Sequence, residues 1–322
     1  MKLVIYGPSQ RRLGLALLGL VWVSACSSGA DESADDGRLR AVATIGMIAD
    51  IVGEIGGSRI TVAGLMGPGV DPHLYKASAG DVRTLAGADV IFYNGLHLEA
   101  AMATVLEQMN DRKPTFAVTD GIDRQLLHRS IAFQNNYDPH VWFDVTMWSS
   151  AVDQVEAGLI QLDPTGETEF RANAAALRDT LEALDAWVRE RLEQVSPELR
   201  VLITAHDAFE YFGKQYGFEV IGLQGISTAS EAGTGDVRRM VDAIIDKRIP
   251  AIFVETSIPR RTIEAVQEAV RSRGFEVEIG GSLFSDAMGN PGTPEGRYPG
   301  MVRHNVNTIV AALAPANVRV AE

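Results

Sequence analysis

The sequence predicts an α/β fold, two parallel-sheet sandwich lobes joined by one long backbone helix, on three observations. Short apolar runs alternate with helical stretches on both sides of the middle of the chain, the pattern of parallel strands with helices packed on both faces. Between these halves Leu177, Leu181, Leu184, Val188, Leu192 and Val195 recur at steps of three and four, which places them on one stripe of a helix. The tetrapeptide Gly-Asp-Val-Arg occurs at Gly80 to Arg83 and again at Gly235 to Arg238, each time opening a helix that feeds a strand, a faint sign of two similar halves.

The central helix is read from Pro164 to Ser196. Proline suits a first helical turn, Glu167 and Glu169 suit its positive end, and Pro197 stops the pattern. At about 1.5 Å per residue it makes a rod of about 50 Å, longer than a small domain is wide. Before it, strands are read at 41–45, 59–66, 89–93 and 115–119, with helices at 47–55, 79–85 and 99–110. After it come strands at 200–204, 219–223, 251–255 and 276–279, with helices at 208–216, 236–247, 260–272 and 298–313. The chain therefore divides into an N-terminal lobe at 40–163, a link at 164–196 and a C-terminal lobe at 197–322.

The first residues read as an address. Lys2, Arg11 and Arg12 precede an apolar run from Leu13 to Val23, too short to span a bilayer comfortably, and small residues precede Cys26. Residues 1–25 are expected to be a signal peptide, with 26–39, rich in Ser, Gly, Asp and Glu, as a lipid-anchored tether. Cys26 is the only cysteine, so no internal disulfide forms, and its place at the cleavage point fits lipidation and attachment to a membrane of an exported protein, at the cell membrane or in the periplasm. With 46% hydrophobic and 22% charged residues the remainder is ordinary globular composition. A net charge of −13 argues against a nucleic-acid partner and suits a cation ligand.

The chemistry is expected in loops that follow strands, where open α/β sheets bind ligands. Two of the six histidines close the same tripeptide, Asp71-Pro72-His73 and Asp138-Pro139-His140. Proline fixes its own φ and holds the preceding residue extended, so each tripeptide presents its imidazole from a stiffened loop. His206 ends the first strand after the long helix, and Asp286 follows the last strand of the second half. Three imidazoles and a carboxylate, two from each half, compose a four-coordinate set suited to Zn²⁺. Asp138, Asp207 and Glu255 stand close enough in sequence to these residues to fix imidazole tautomers. His97, His128 and His304 lack the strand-end setting and read as surface or packing residues.

Longer motifs surround these positions: Gly-Val-Asp-Pro-His-Leu-Tyr at 69–75, Asp-Pro-His-Val-Trp-Phe-Asp at 138–144, Thr-Ala-His-Asp-Ala-Phe-Glu-Tyr-Phe at 204–212, Gly-Leu-Gln-Gly-Ile-Ser-Thr at 222–228 and Gly-Gly-Ser-Leu-Phe-Ser-Asp-Ala-Met-Gly at 280–289. In combination they resemble the TroA-like zinc/manganese lipoproteins, metal-binding receptors of ABC importers, from about Arg40 to the C-terminus. The resemblance implies metal ligands at His73, His140, His206 and Asp286, a long helix between two lobes, Zn²⁺ or Mn²⁺ as the transported ion, an ABC permease with its ATPase as partners, and no enzymatic activity. Two departures bear on the metal. Typical zinc-only members carry a His-rich insertion where Asp120 to Tyr137 here has only His128, and manganese members often place Glu where this chain has His206. Two other functions stay open at this point: a zinc-dependent hydrolase with Glu255 or Asp207 as base, and a surface adhesion lipoprotein with a structural metal.

Overall fold

The computed structural model describes residues 37–131 and 133–314. The expected signal peptide, Cys26 and all of the tether up to residue 36 lie outside the described residues. Among the described residues no helix is long and apolar enough to cross a membrane.

The N-terminal half opens with β1 (Leu39–Ala43), α1 (Gly46–Gly56), β2 (Ile60–Gly64), α2 (Ala79–Gly87), β3 (Val90–Tyr93), α3 (Ala103–Asn110) and β4 (Thr115–Ala117). Its strands pair in parallel in the order β2-β1-β3-β4. Val42, Ala43, Val90, Ile91 and Phe92 are buried, as strands covered on both faces require. The C-terminal half comprises β5 (Val201–His206), α6 (Glu210–Tyr216), β6 (Glu219–Gln224), α7 (Thr234–Asp246), β7 (Ala251–Glu255), α8 (Arg261–Ser272), β8 (Glu278–Leu283) and α9 (Tyr298–Leu313). Strand β5 pairs with β6 and β7 with β8, both in parallel. Between the halves lie α4 (Val145–Leu162) and α5 (Glu167–Leu192), packed along one another.

Helix α4 has no counterpart in the sequence reading, although its signals are ordinary ones. Asp144 caps it by accepting from the amides of Thr146 and Met147, and Val145, Trp148, Val152, Val155 and Leu159 form its buried stripe. Helix α5 is shorter than the expected rod, 26 residues or about 39 Å. Pro164 to Gly166 form a separate tight turn, capped by the Asp163 side chain. At the other end the Arg200 guanidinium donates to the carbonyls of Leu192 and Val195, satisfying groups that a longer helix would have used. Every residue of the predicted stripe, Leu177 through Val195, is buried.

Two smaller differences also have local causes. The stretch read as a helix from Glu99 begins as a tight turn at Ala100–Met102, with Glu99 turned inward to accept from the Thr44 hydroxyl and the amides of Asn94 and Gly95. The last strand, expected to stop at Ile279, runs on through Gly280 and Gly281 to Leu283. The register against β7 shifts there, and Gly281, at φ 146°, takes a conformation and a closeness to Thr308 that a Cβ would forbid. The repeated tetrapeptide does the same work twice: Asp81 accepts from the Ser78 amide and Asp236 from the Gly233 amide, each closing a helix N-terminus.

The described residues from Arg38 onward pack as one compact unit. One buried apolar cluster runs from Ala41, Ile48 and Phe92 through Leu181 and Val188 of α5 to Phe253, Met301 and Ile309. A second, with Ile203, Ile244, Ile252 and Val266, fills the far side of the C-terminal half.

Candidate metal centre

His73 lies in the segment after β2, His140 in the loop before α4, His206 at the last position of β5, and Asp286 just past β8. Tertiary folding brings these four side chains, two from each half, together. One donor atom from each lies within 4.8 Å of the others. Nε2 of His73 is 3.2 Å from Nε2 of His140, which is 3.4 Å from Oδ1 of Asp286. Oδ2 of Asp286 is 3.3 Å from Nε2 of His206 and 3.8 Å from Nε2 of His73. All four residues are buried, His140 and His206 completely.

Burial without partners is what needs explaining. Nε2 of His206 and both carboxylate oxygens of Asp286 are sealed from solvent and make no hydrogen bond, although they stand close together. With ligand atoms of the four side chains within 4.8 Å of one another, one point among them is near to all four. Leaving such atoms unpaired costs about 1–3 kcal/mol each, more where charge is involved, and a cation at that point removes the cost. Donors about 2.0–2.1 Å from a tetrahedral ion stand about 3.3 Å apart, close to the spacings found here. The donor set and its separations fit a zinc-sized ion.

Two of the imidazoles are oriented by carboxylates. Asp138 Oδ1 accepts from the His140 backbone amide at 3.0 Å and lies 2.6 Å from Nδ1 of the same ring. Glu255, at the end of β7, accepts the His206 amide on Oε1 at 2.8 Å and faces Nδ1 with Oε2 at 2.5 Å. An ionised carboxylate only accepts, so Nδ1 carries a proton, and it is Nε2 that gives up its proton and offers a lone pair when the ring becomes neutral. Asp207 plays no such part: among the described residues it makes no hydrogen bond to an imidazole, and its Oδ1 is buried without a partner. Burial, then the nearby Glu210 and Asp138 carboxylates, push its pKa up to about 7.

The charges differ among the three rings. Burial pulls His73 down to about 3, keeping it neutral. Burial pulls on His140 too, but Asp138 and Asp286 outweigh it and raise the ring to about 9. His206 is likewise raised, against burial, by Glu255 and Asp286. Asp286 is held well below the ordinary carboxylate range, against burial, by His206 and His140.

Several supporting residues escaped the sequence reading. Asp71 accepts from the His73 amide at 2.9 Å, the same bond that Asp138 makes to His140, so the shared tripeptide carried the signal. Thr228 donates to Asp71. Trp142 packs edge-on against His140 and donates from Nε1 to the Ser285 carbonyl at 3.1 Å, tying the His140 loop to the Asp286 loop. Asn94 donates to the Pro139 carbonyl at 3.0 Å. No spacing rule announces these last contacts. The remaining histidines lie apart from the cluster: His97 packs on Phe133, His128 on Tyr211 and His304 on Phe284.

Residues 41–312 match the family model described as zinc-uptake complex component A, periplasmic. The chain is 49% identical over 297 residues to the zinc-binding protein TroA of Treponema pallidum, covering 92% of this chain and 96% of that one. It is 44% identical over 304 residues to the manganese-binding lipoprotein MntA of Bacillus subtilis, covering 94% and 99%. The solved structure of the periplasmic zinc-binding protein TroA from Treponema pallidum superposes with a TM-score of 0.85 at 50% identity, over 87% of this chain and all 100% of that chain. Two lobes of parallel sheet linked by a long helix, a buried His₃Asp cluster between them, and a family model spanning both lobes agree, and the chain belongs to the family of periplasmic zinc-uptake component A proteins.

Proposed function

We propose that this protein captures a divalent transition metal, Zn²⁺ or Mn²⁺, outside the cytoplasmic membrane and hands it to an ABC permease, driven by its ATPase, for uptake. The observation that carries this reading is the convergence of three buried, unpartnered polar atoms, Nε2 of His206 and both oxygens of Asp286, beside the Nε2 atoms of His73 and His140. His73, His140, His206 and Asp286 are the proposed ligands. In the bound state the metal is cargo, and the chain's task is to surround it with neutral imidazoles and one carboxylate. The relatives named for zinc and for manganese support a divalent metal and leave the choice between the two to the test below.

A hydrolase needs an open coordination position and a free base. Both oxygens of Glu255 are engaged by His206, and although Asp207 keeps an unpartnered oxygen, four protein donors leave no open position for the water it would activate. The receptor reading is therefore the one the site favours.

In this reading residues 40–163 and 197–322 are the lobes, 164–196 links them, and 26–39 tethers them to a lipid on Cys26 after loss of residues 1–25. The name of the Bacillus relative, a lipoprotein, supports the anchor. Elemental analysis of protein purified natively, paired with metal accumulation by cells lacking it, tests the function. About one equivalent of zinc or manganese and reduced uptake of that ion are expected; metal-free protein with unimpaired uptake contradicts the proposal. Cys26→Ser should release the protein from membranes.

A further inference from the structure

The three imidazoles are not held alike. His140 and His206 each have a carboxylate on Nδ1, whereas among the described residues no carboxylate stands beside Nδ1 of His73. Its segment is secured through the backbone instead. Asp71 Oδ1 accepts from the His73 amide at 2.9 Å, and Oδ2 of the same carboxylate accepts from the Thr228 hydroxyl at 2.6 Å. Thr228 is 157 residues away, between β6 and α7 of the opposite lobe, and is itself buried.

The His73 segment is also the outermost of the four. Leu74, the residue after His73, is 53% exposed, while Val141 after His140 and Ala287 after Asp286 are at 0% and 4%. Moving His140 or His206 breaks bonds to buried carboxylates, and moving Asp286 disturbs the Ser285 carbonyl that Trp142 holds. Moving His73 outward uncovers the buried Pro72 and its own ring, and the hydrogen bond it breaks to the opposite lobe is the one from the Thr228 hydroxyl to the Asp71 carboxylate. Segments that open locally are those with the fewest such bonds, and the bond that closes this one is charge-assisted and crosses between lobes.

We propose that Thr228 is a positioning residue that latches the His73 segment to the opposite lobe through Asp71, and that the opening of this latch sets the rate at which the metal leaves. This rests on the receptor reading above. Thr228→Val keeps size and branching but removes the donor, and Thr228→Ser keeps the donor. Zinc release from each full-length protein into excess chelator, followed by stopped flow, should be about tenfold faster for the valine variant, the worth of one hydrogen bond to a charged group, with serine close to the native rate. Amide exchange in the metal-free valine variant should quicken at residues 70–75 and not in β5. Native release in the valine variant, a serine variant as fast as valine, or exchange quickened throughout the fold would each overturn the latch. Absence of both zinc and manganese binding by the native protein would overturn the receptor reading and the latch with it; bound zinc with unchanged release would sink the latch alone.

Discussion

Glu255 receives both N–H groups of His206, the backbone amide on one oxygen and ring Nδ1 on the other, from 49 residues along the chain. One carboxylate thus fixes the end of β5 and the tautomer of its imidazole at once. In Glu255→Gln one oxygen becomes an NH₂ group that confronts a donor, and a ring turned to accept it places the proton on Nε2. Metal affinity should fall about 10–100-fold with the fold retained, as competition titration and circular dichroism would show. Native affinity in this variant would remove Glu255 from the ligand-orienting role.

The pH dependence follows from the raised imidazoles. His140, held up at about 9, and His206, also raised, keep protons at neutral pH in the metal-free protein, and a metal must displace them. Protons compete with metal, so apparent affinity rises with pH, by up to about tenfold per unit for each proton released. The rise should continue through neutrality toward about pH 9, rather than level off near the ordinary histidine value of about 6.5. His73, already neutral above about 3, adds no slope in this range. Titrations from about pH 6 to 9 check it, and a plateau above pH 7 would refute the assignment.

Selectivity should respond to His206, but not by itself. Imidazole suits zinc and carboxylate suits manganese, so the native ratio of Mn²⁺ to Zn²⁺ dissociation constants should exceed one. His206→Glu sets a new carboxylate against Glu255, and like charges in a buried site weaken binding of both ions even as the ratio shrinks. Pairing His206→Glu with Glu255→Gln should recover affinity and keep the smaller ratio. A ratio unmoved in both variants would mean that loop geometry, not ligand type, sets the preference.

Lobe motion should be small. The apolar cluster is continuous through α5 into both halves, and Asp50 of α1 accepts from the Tyr298 amide at the start of α9 while pairing with Arg297. A shared core resists hinge opening, so metal should reorder loops and leave the lobes nearly fixed. Small-angle scattering with and without metal should superpose; a marked compaction on metal addition would count against it.

Read alone, the sequence determined the alternation of strands and helices, the stripe of α5 and the identity of His73, His140, His206 and Asp286 as candidates, because periodicity, proline chemistry and strand ends are local properties. It also held the signals for α4, in the Asp144 cap and the stripe behind it, which the presence of ligand motifs beside them obscured. Only the tertiary structure decided which neighbours do what. Asp207 follows His206 directly, just past the end of β5, yet makes no hydrogen bond to a ring among the described residues, whereas Glu255 reaches His206 from another strand. Asp71 and Asp138 open identical tripeptides and make the same bond to the amide two residues on, yet Asp138 turns back onto its own imidazole and Asp71 reaches across to Thr228. Such pairings depend on which chain segments the packed core brings side by side, and residue spacing along the sequence carries no trace of that.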